Sequence, residues 1–201
     1  MDRPTTDFYN RYAADAIQSE AARSALSRYF ALAFKPGGRV LDVGAGSGRD
    51  LAVLRAMGFD AFGVEPNAAM RAVAVCNHPE LAGRVLDGAL PQLGVPFGGG
   101  FDGVVCSAVL MHVAPADLPP SALALRALLA PGGRLLVSLP FMHPDLLAGE
   151  RDADGRYFQN HAYEALARHL AAAGLAPAGQ WDEGEHAGTR WFVLLFELAA
   201  R

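Results

Sequence analysis

The chain has 201 residues, of which 52% are hydrophobic and 19% are charged, and this composition fits one α/β domain with a single core. Its 17 basic and 21 acidic residues leave a net charge of −4, which gives no electrostatic reason to expect a nucleic-acid partner. The apolar runs are too short to span a bilayer, no signal-peptide pattern is visible, and the two cysteines lack metal-site or disulfide spacing, so we expect a cytoplasmic protein with reduced thiols.

The first 36 residues carry a helical pattern of apolar side chains and precede the first predicted strand. We expect residues 1–36 to form an appended helical segment that closes over the ligand end of the domain. Within it, residues 8–12 place Tyr9 and Tyr12 at helical spacing. Such a stripe is typical of a cover over a small ligand and equally of core packing, so both interpretations stay open.

The first predicted strand, residues 39–43, runs into glycines at alternate positions, Gly44, Gly46 and Gly48, and a helix follows. Glycines directly after a buried strand let the backbone approach a ligand because they carry no Cβ. A dinucleotide-binding fingerprint, G-x-G-x-x-G, would require a third glycine at Arg49. The pattern here is G-x-G-x-G, which disfavours a nicotinamide oxidoreductase.

The second predicted strand, residues 61–65, ends in the carboxylate of Glu65, and Asn67 is placed to cap the next helix. An acidic side chain at the tip of this strand can accept hydrogen bonds from both hydroxyls of a ribose. The alternative for Glu65 is a solvated charge at a strand end. Its position beyond the glycine turn favours the ribose.

With this glycine loop and acidic strand end, the chain resembles the class I S-adenosylmethionine-dependent methyltransferases, in which G-x-G-x-G surrounds the methionine part of the cofactor. The later elements also resemble that family. These are a third strand at 83–87, a fourth at 102–107 that follows Phe101, and a Pro131-Gly132-Gly133 turn before a fifth strand at 133–139.

The resemblance implies a Rossmann-like, mostly parallel sheet of seven strands in the order 3-2-1-4-5-7-6, with helices on both faces. Residues 37–139 would form the cofactor-binding units, and residues 140–161 a loop on the acceptor side. Residues 162–201 would supply the last helix and an antiparallel hairpin, with strands near 175–182 and 190–198.

The same resemblance implies S-adenosylmethionine as cofactor. Asp42 would face its amine, Glu65 its ribose, Asp87 and the backbone after it the adenine, and Ser107 the methionyl part. Arg49 would pair with the cofactor carboxylate or, alternatively, with Asp50 or Glu65. The expected cofactor contacts are Asp42, Gly44, Gly46, Arg49, Glu65, Asn67, Asp87, Gly88 and Ser107.

The acceptor is expected to be a small molecule, and its contacts are less well defined. His112 follows the fourth strand on the loop that would face the acceptor, which makes it the candidate general base; a packed loop histidine is the alternative. The expected acceptor contacts are Tyr9, Tyr12, His143 and Tyr157. A protein that binds the cofactor without transferring its methyl group is the alternative function.

Overall fold

A computed structural model of the protein describes residues 1–16 and 25–200. Within these residues, seven strands form one sheet and six α-helices surround it. The strands are β1 (Arg39–Val43), β2 (Asp60–Val64), β3 (Val85–Leu86), β4 (Phe101–Ser107), β5 (Leu129–Met142), β6 (Leu175–His186) and β7 (Thr189–Leu198). The helices are α1 (Arg3–Ala16), α2 (Ser27–Ala33), α3 (Arg49–Ala56), α4 (Ala68–Asn77), α5 (Leu118–Leu128) and α6 (Tyr163–Ala172).

The strand order is β3-β2-β1-β4-β5-β7-β6, which confirms the predicted topology. The pairs β2–β3, β1–β2, β1–β4 and β4–β5 are parallel, whereas β7 runs antiparallel to both β5 and β6. The order of the strands reverses between β1 and β4. In an open α/β sheet, ligands bind beyond the carboxyl ends of the strands at such a reversal.

The central strands of the sheet are buried on both faces because helices cover them, and this explains why β1 and β4 are largely apolar. On one face, Leu125 of α5 and Leu170 of α6 pack against the strands. On the other face, Phe30 of α2, Leu51 of α3 and Ala74 of α4 do so. Within residues 1–16 and 25–200, no helix combines the length and the apolar character that crossing a membrane requires.

Three predicted strands differ from the structure by more than one residue. The sixth, predicted near 175–182, continues to His186. The third strand is only the two residues of β3, since Gly83 takes a positive φ of 75°. The fifth strand is longer than predicted: it begins at Leu129, includes the Pro-Gly-Gly sequence as an irregularity, and continues to Met142 because residues 140–142 pair with β7. The predicted loop at 140–161 therefore begins after Met142, and we call residues 143–162 the acceptor-side segment.

The N-terminal helices differ in their positions. Side chains of α1 line the cavity described below, whereas Leu26, just before α2, and Phe30, within α2, are buried in the core with residues of α3 and β1. Phe34, just after α2, lies under β4, where a Cβ on Gly103 would come within 2.3 Å of its ring. Residues 17–24 of the predicted 1–36 segment lie outside the described residues.

Candidate active site

The loop between β1 and α3 depends on its three glycines. Gly44, Gly46 and Gly48 have φ values of 76°, 54° and 79°, a region that other residues rarely adopt. A Cβ on Gly44 would also lie 2.4 Å from a methyl carbon of Val109. The sequence forms this tight turn because only glycine fits there, and the turn leaves open space above the carboxyl ends of the strands.

A cavity of about 340 Å³ occupies this space at the junction of β1 and β4. It brings together most of the residues that the sequence predicted. The predicted cofactor contacts that line it are Asp42, Gly44, Gly46, Arg49, Glu65, Gly88 and Ser107, and the predicted acceptor-side residues that line it are Tyr9, Tyr12 and His112. Residues from distant parts of the chain thus share one cavity.

Three buried carboxyl groups surround one part of the cavity. Asp42, Asp50 and Glu65 are 2%, 8% and 7% exposed. The Oδ1 atoms of Asp42 and Asp50 are buried and have no hydrogen-bond partner among the described residues. Burial, with the nearby charges of Asp50 and Glu65, raises the pKa of Asp42 well above its ordinary value. Unpartnered carboxylate oxygens are costly, so this arrangement favours a cationic ligand.

Arg49 lies at the start of α3, lines the cavity and is exposed. The sequence left open an ion pair with Asp50 or Glu65, but among the described residues Arg49 has no carboxylate within ion-pair distance. Its positive charge does act on Asp42, where it opposes the rise in pKa. The guanidinium is therefore available to a ligand.

Glu65 is fixed by two backbone donors. Its Oε2 accepts a hydrogen bond from the Gly46 N–H at 3.0 Å, and its Oε1 accepts one from the Asn67 N–H at 2.8 Å. Burial raises its pKa, and these two donors oppose the rise. Each oxygen keeps a further lone pair, so the carboxylate can still accept from the hydroxyls of a sugar while the glycine loop holds it in place.

Four predicted contacts lie outside the cavity lining. Asn67 caps α4 through its Oδ1 and donates to Asn10 Oδ1 at 2.9 Å, so it connects α4 with α1. Asp87 is 74% exposed and pairs with Arg71 at 2.9 Å, although the backbone after it does reach the cavity.

The other two are on the acceptor-side segment. His143 is exposed and accepts a hydrogen bond from the Asp145 N–H at 3.3 Å, so it caps a short turn. Tyr157 contributes its carbonyl oxygen to a cavity residue, His112, and its N–H donates to Thr5 Oγ1 at 2.8 Å, so its backbone connects the segment to α1.

His112 has both ring nitrogens engaged. Its Nδ1 lies 2.6 Å from the Tyr157 carbonyl oxygen, and its Nε2 lies 3.0 Å from the Tyr9 hydroxyl. A carbonyl oxygen only accepts, so Nδ1 carries the proton, and Nε2 of the neutral ring accepts from Tyr9. Burial lowers the pKa of His112. The imidazole is therefore a neutral base whose Nε2 lone pair accepts a hydrogen bond from the Tyr9 hydroxyl.

Arg156 is a cavity residue that was not among the expected contacts, although it is adjacent to Tyr157, which was. Its Nε donates to Asp152 Oδ2 at 2.6 Å, and its guanidinium lies 4.6 Å from the centre of the Phe8 ring. Asp152 is buried and also accepts from two backbone N–H groups of the same turn. The acidic turn at 152–154 was the available signal, but nothing in it indicates which element the arginine faces.

The Asp42 carboxyl leads to a prediction about pH. Because its pKa is higher in the folded than in the unfolded protein, the folded protein binds that proton more tightly, and stability falls as pH rises above the unfolded value through the folded one. We expect Asp42→Asn to reduce this fall and to stabilise the ligand-free protein at neutral pH. Thermal unfolding at about pH 5 and about pH 8 measures the effect.

The matched control for Asp42→Asn is Asp117→Asn, because Asp117 is exposed and its side chain caps no helix N–H. This variant should keep the pH dependence of the wild-type protein. An Asp42→Asn protein that loses as much stability as the wild type between the two pH values would contradict the prediction.

Comparison with known proteins agrees with this geometry. A family model described as a methyltransferase domain matches residues 9–177. Protein-L-isoaspartate O-methyltransferases of Methylorubrum extorquens and Methylorubrum populi are 38% and 36% identical to the chain over 53% and 72% of it. The chain spans 44% and 67% of the lengths of these two relatives.

Solved structures show the same fold. A TehB-like S-adenosylmethionine-dependent methyltransferase from Corynebacterium glutamicum is 17% identical, with a TM-score of 0.70 over 98% of both chains. The family match covers more than half of the chain, and the sheet order and the glycine loop agree with it. The chain therefore belongs to the class I S-adenosylmethionine-dependent methyltransferase family.

Proposed function

We propose that the protein transfers a methyl group from S-adenosylmethionine to a small-molecule acceptor. The observation that carries this proposal is the pair of buried oxygens of Asp42 and Asp50 beside the glycine loop, for which the described residues supply no hydrogen-bond partner. They fit the positively charged end of that cofactor, and Glu65 fits its ribose. When bound, the cofactor supplies a methyl group already activated by a sulfonium.

The protein has two main tasks in such a reaction. It holds the acceptor in line with the methyl group and it excludes water. Tyr12 and Phe8, whose rings are 5.8 Å apart and nearly parallel, would supply an aromatic wall for the acceptor. His112 would take the acceptor proton at Nε2, either directly or through the Tyr9 hydroxyl. Ser107, at the end of β4, would contact the methionyl part.

We further propose that the acceptor is a small molecule rather than a nucleic acid, and that the protein acts in the cytoplasm. The net charge of −4 supports the first point. The second is supported by two cysteines that are both free thiols, Cys76 exposed and Cys106 buried.

The test combines binding and transfer. Calorimetric titration should show S-adenosylmethionine binding with a dissociation constant on the order of micromolar. Incubation with a methyl-labelled cofactor and a panel of phenols, carboxylic acids, an isoaspartyl peptide, amines, thiols and metalloid oxyanions should then give labelled product. No binding would overturn the proposal. Binding without any product would favour the alternative, a cofactor-binding protein that does not transfer methyl groups.

A further inference from the structure

One wall of the cavity contains polar groups that are not among the expected cofactor contacts. Tyr9 from α1, His112 from the turn after β4, and Arg156 from the acceptor-side segment all line it. Three separate parts of the chain thus place a hydroxyl, a neutral imidazole and a guanidinium together. Such convergence of a donor, a base and a cation on one cavity wall is typical of a ligand-recognition site.

Among the described residues, Arg156 makes one close contact with a carboxylate and keeps other N–H donors free of close carboxylate contacts. Asp152 takes its Nε, whereas its Nη2 lies 3.8 Å from Asp154, beyond hydrogen-bond distance. The guanidinium also interacts with the Tyr9 hydroxyl. Because a guanidinium has five N–H donors, donors beyond those to Asp152 and Tyr9 stay available to a ligand. The central carbon of the guanidinium lies over the Phe8 ring, a cation–π contact that helps to hold the group in place.

The positive charge of Arg156 favours the deprotonated forms of both Tyr9 and His112. Burial raises the pKa of the Tyr9 hydroxyl, and Arg156 opposes that rise. Arg156 also disfavours the protonated form of His112. A positive charge at this place therefore stabilises an oxyanion beside the Tyr9 hydroxyl, and a neutral or cationic acceptor atom would gain nothing from it.

The surroundings of this cluster are aromatic. Phe8 and Tyr9 meet edge to face at 5.2 Å, and Tyr12 lies parallel to Phe8. Flat faces of this kind pack well against a planar ring. The wall thus combines a surface for a ring with a charged group for one oxygen atom.

Resting on the proposed function, we infer that the acceptor is a planar ring that carries an ionisable hydroxyl, a phenol or an enol, and that Arg156 binds its oxygen. The acceptor O–H gives its proton to the Tyr9 oxygen as Tyr9 gives its own proton to His112 Nε2. The acceptor is left as an oxyanion beside Arg156, and His112 becomes the imidazolium. The oxyanion then supplies the electron pair for the new oxygen–carbon bond, and the pair of the broken carbon–sulfur bond stays on sulfur.

The experiment uses 4-nitrophenol as probe, in the presence of S-adenosylhomocysteine, so that no transfer takes place. Its anion and its neutral form have different absorption spectra, so one titration reports both affinity and ionisation. The wild-type protein should bind it as the anion and lower its apparent pKa. Arg156→Gln should weaken binding by about tenfold or more and abolish the pKa shift, because a hydrogen bond to a charged group is lost.

Two variants serve as controls. Arg156→Lys keeps the charge and should retain part of the shift, whereas Arg168→Gln removes an exposed arginine of α6 and should change nothing. Calorimetry of S-adenosylhomocysteine binding, which should be unchanged in all three variants, shows that each is folded.

The outcomes separate the two proposals. If the wild-type protein binds S-adenosylhomocysteine but not 4-nitrophenol, or if Arg156→Gln binds the anion as well as the wild type does, this inference is overturned and the proposed function stands. Binding of benzoate in place of 4-nitrophenol would also overturn it, in favour of a carboxylate acceptor. Failure to bind the nucleoside at all would overturn both.

Discussion

Replacing His112 by asparagine should lower the rate of methyl transfer by about 10²–10⁴-fold, the range that a positioned general base contributes. The asparagine amide can keep the donor that Nδ1 now provides to the Tyr157 carbonyl, but it removes the basic Nε2. Tyr9→Phe should reduce the rate in the same direction, because the hydroxyl that leads to Nε2 is lost while the ring stays. Transfer of a labelled methyl group to the acceptor found in the panel measures both effects.

The pH profile gives a second measurement of this role. Burial lowers the pKa of His112 from its ordinary value of 6.5; the charged and titratable groups around it are Arg156, Asp152, Asp2 and Tyr9. Since only the neutral ring can accept a proton, activity should fall on the acid side at a pH below 6.5. This acid limb should be absent in His112→Asn.

Cofactor affinity is the control for both substitutions, because neither side chain belongs to the acidic part of the cavity. S-adenosylmethionine should bind His112→Asn within about twofold of the wild type, as expected for changes that remove no direct contact. A variant with full activity, or one that loses rate only because it no longer binds the cofactor, would exclude the general-base role.

Replacing Glu65 by alanine should weaken S-adenosylmethionine binding by about 100-fold, which corresponds to roughly 3 kcal/mol. The change removes an acceptor for the ribose, and it also leaves the N–H groups of Gly46 and Asn67 without their partner. The glycine loop then loses the contact that fixes it to the end of β2. Calorimetric titration measures the loss.

Glu65→Gln and Glu164→Ala make this result specific. The glutamine keeps one acceptor oxygen and should lie between the wild type and the alanine variant. Glu164 is an exposed residue of α6, and its replacement should leave the affinity unchanged. A Glu65→Ala protein that melts like the wild type and binds the cofactor within about threefold would show that the ribose lies elsewhere.

The parts of the fold that could be predicted are those with local causes. Three glycines at alternate positions specify a turn with positive φ values, and apolar runs such as β1 specify buried strands. Glu65 follows from the end of its strand in the same way. These local signals identified the strands, the glycine turn and Glu65, whereas the sheet order and the role of Asp42 came from the family resemblance.

The acceptor wall could not be predicted in this way because its contacts join distant residues. Contacts with Asp152 and Phe8 hold the Arg156 side chain at the cavity. No periodicity in the sequence indicates that residues 8 and 156 lie close together. The direction in which a single side chain points could not be predicted from the sequence either. Asp87 is at the expected strand end, yet Arg71 from α4 holds its carboxylate at the surface.

The division of the cavity between two parts of the chain has a consequence for how such proteins diverge. The acidic part is built by the ends of β1 and β2, whereas the aromatic and basic wall belongs largely to α1 and the acceptor-side segment, which contact each other through Thr5 and Tyr157. Since neither contributes a strand to the sheet, both can change in sequence without disturbing its register. Evolution can thus alter which molecule is modified while retaining the methyl donor, provided that α1 and the acceptor-side segment change as a matched pair.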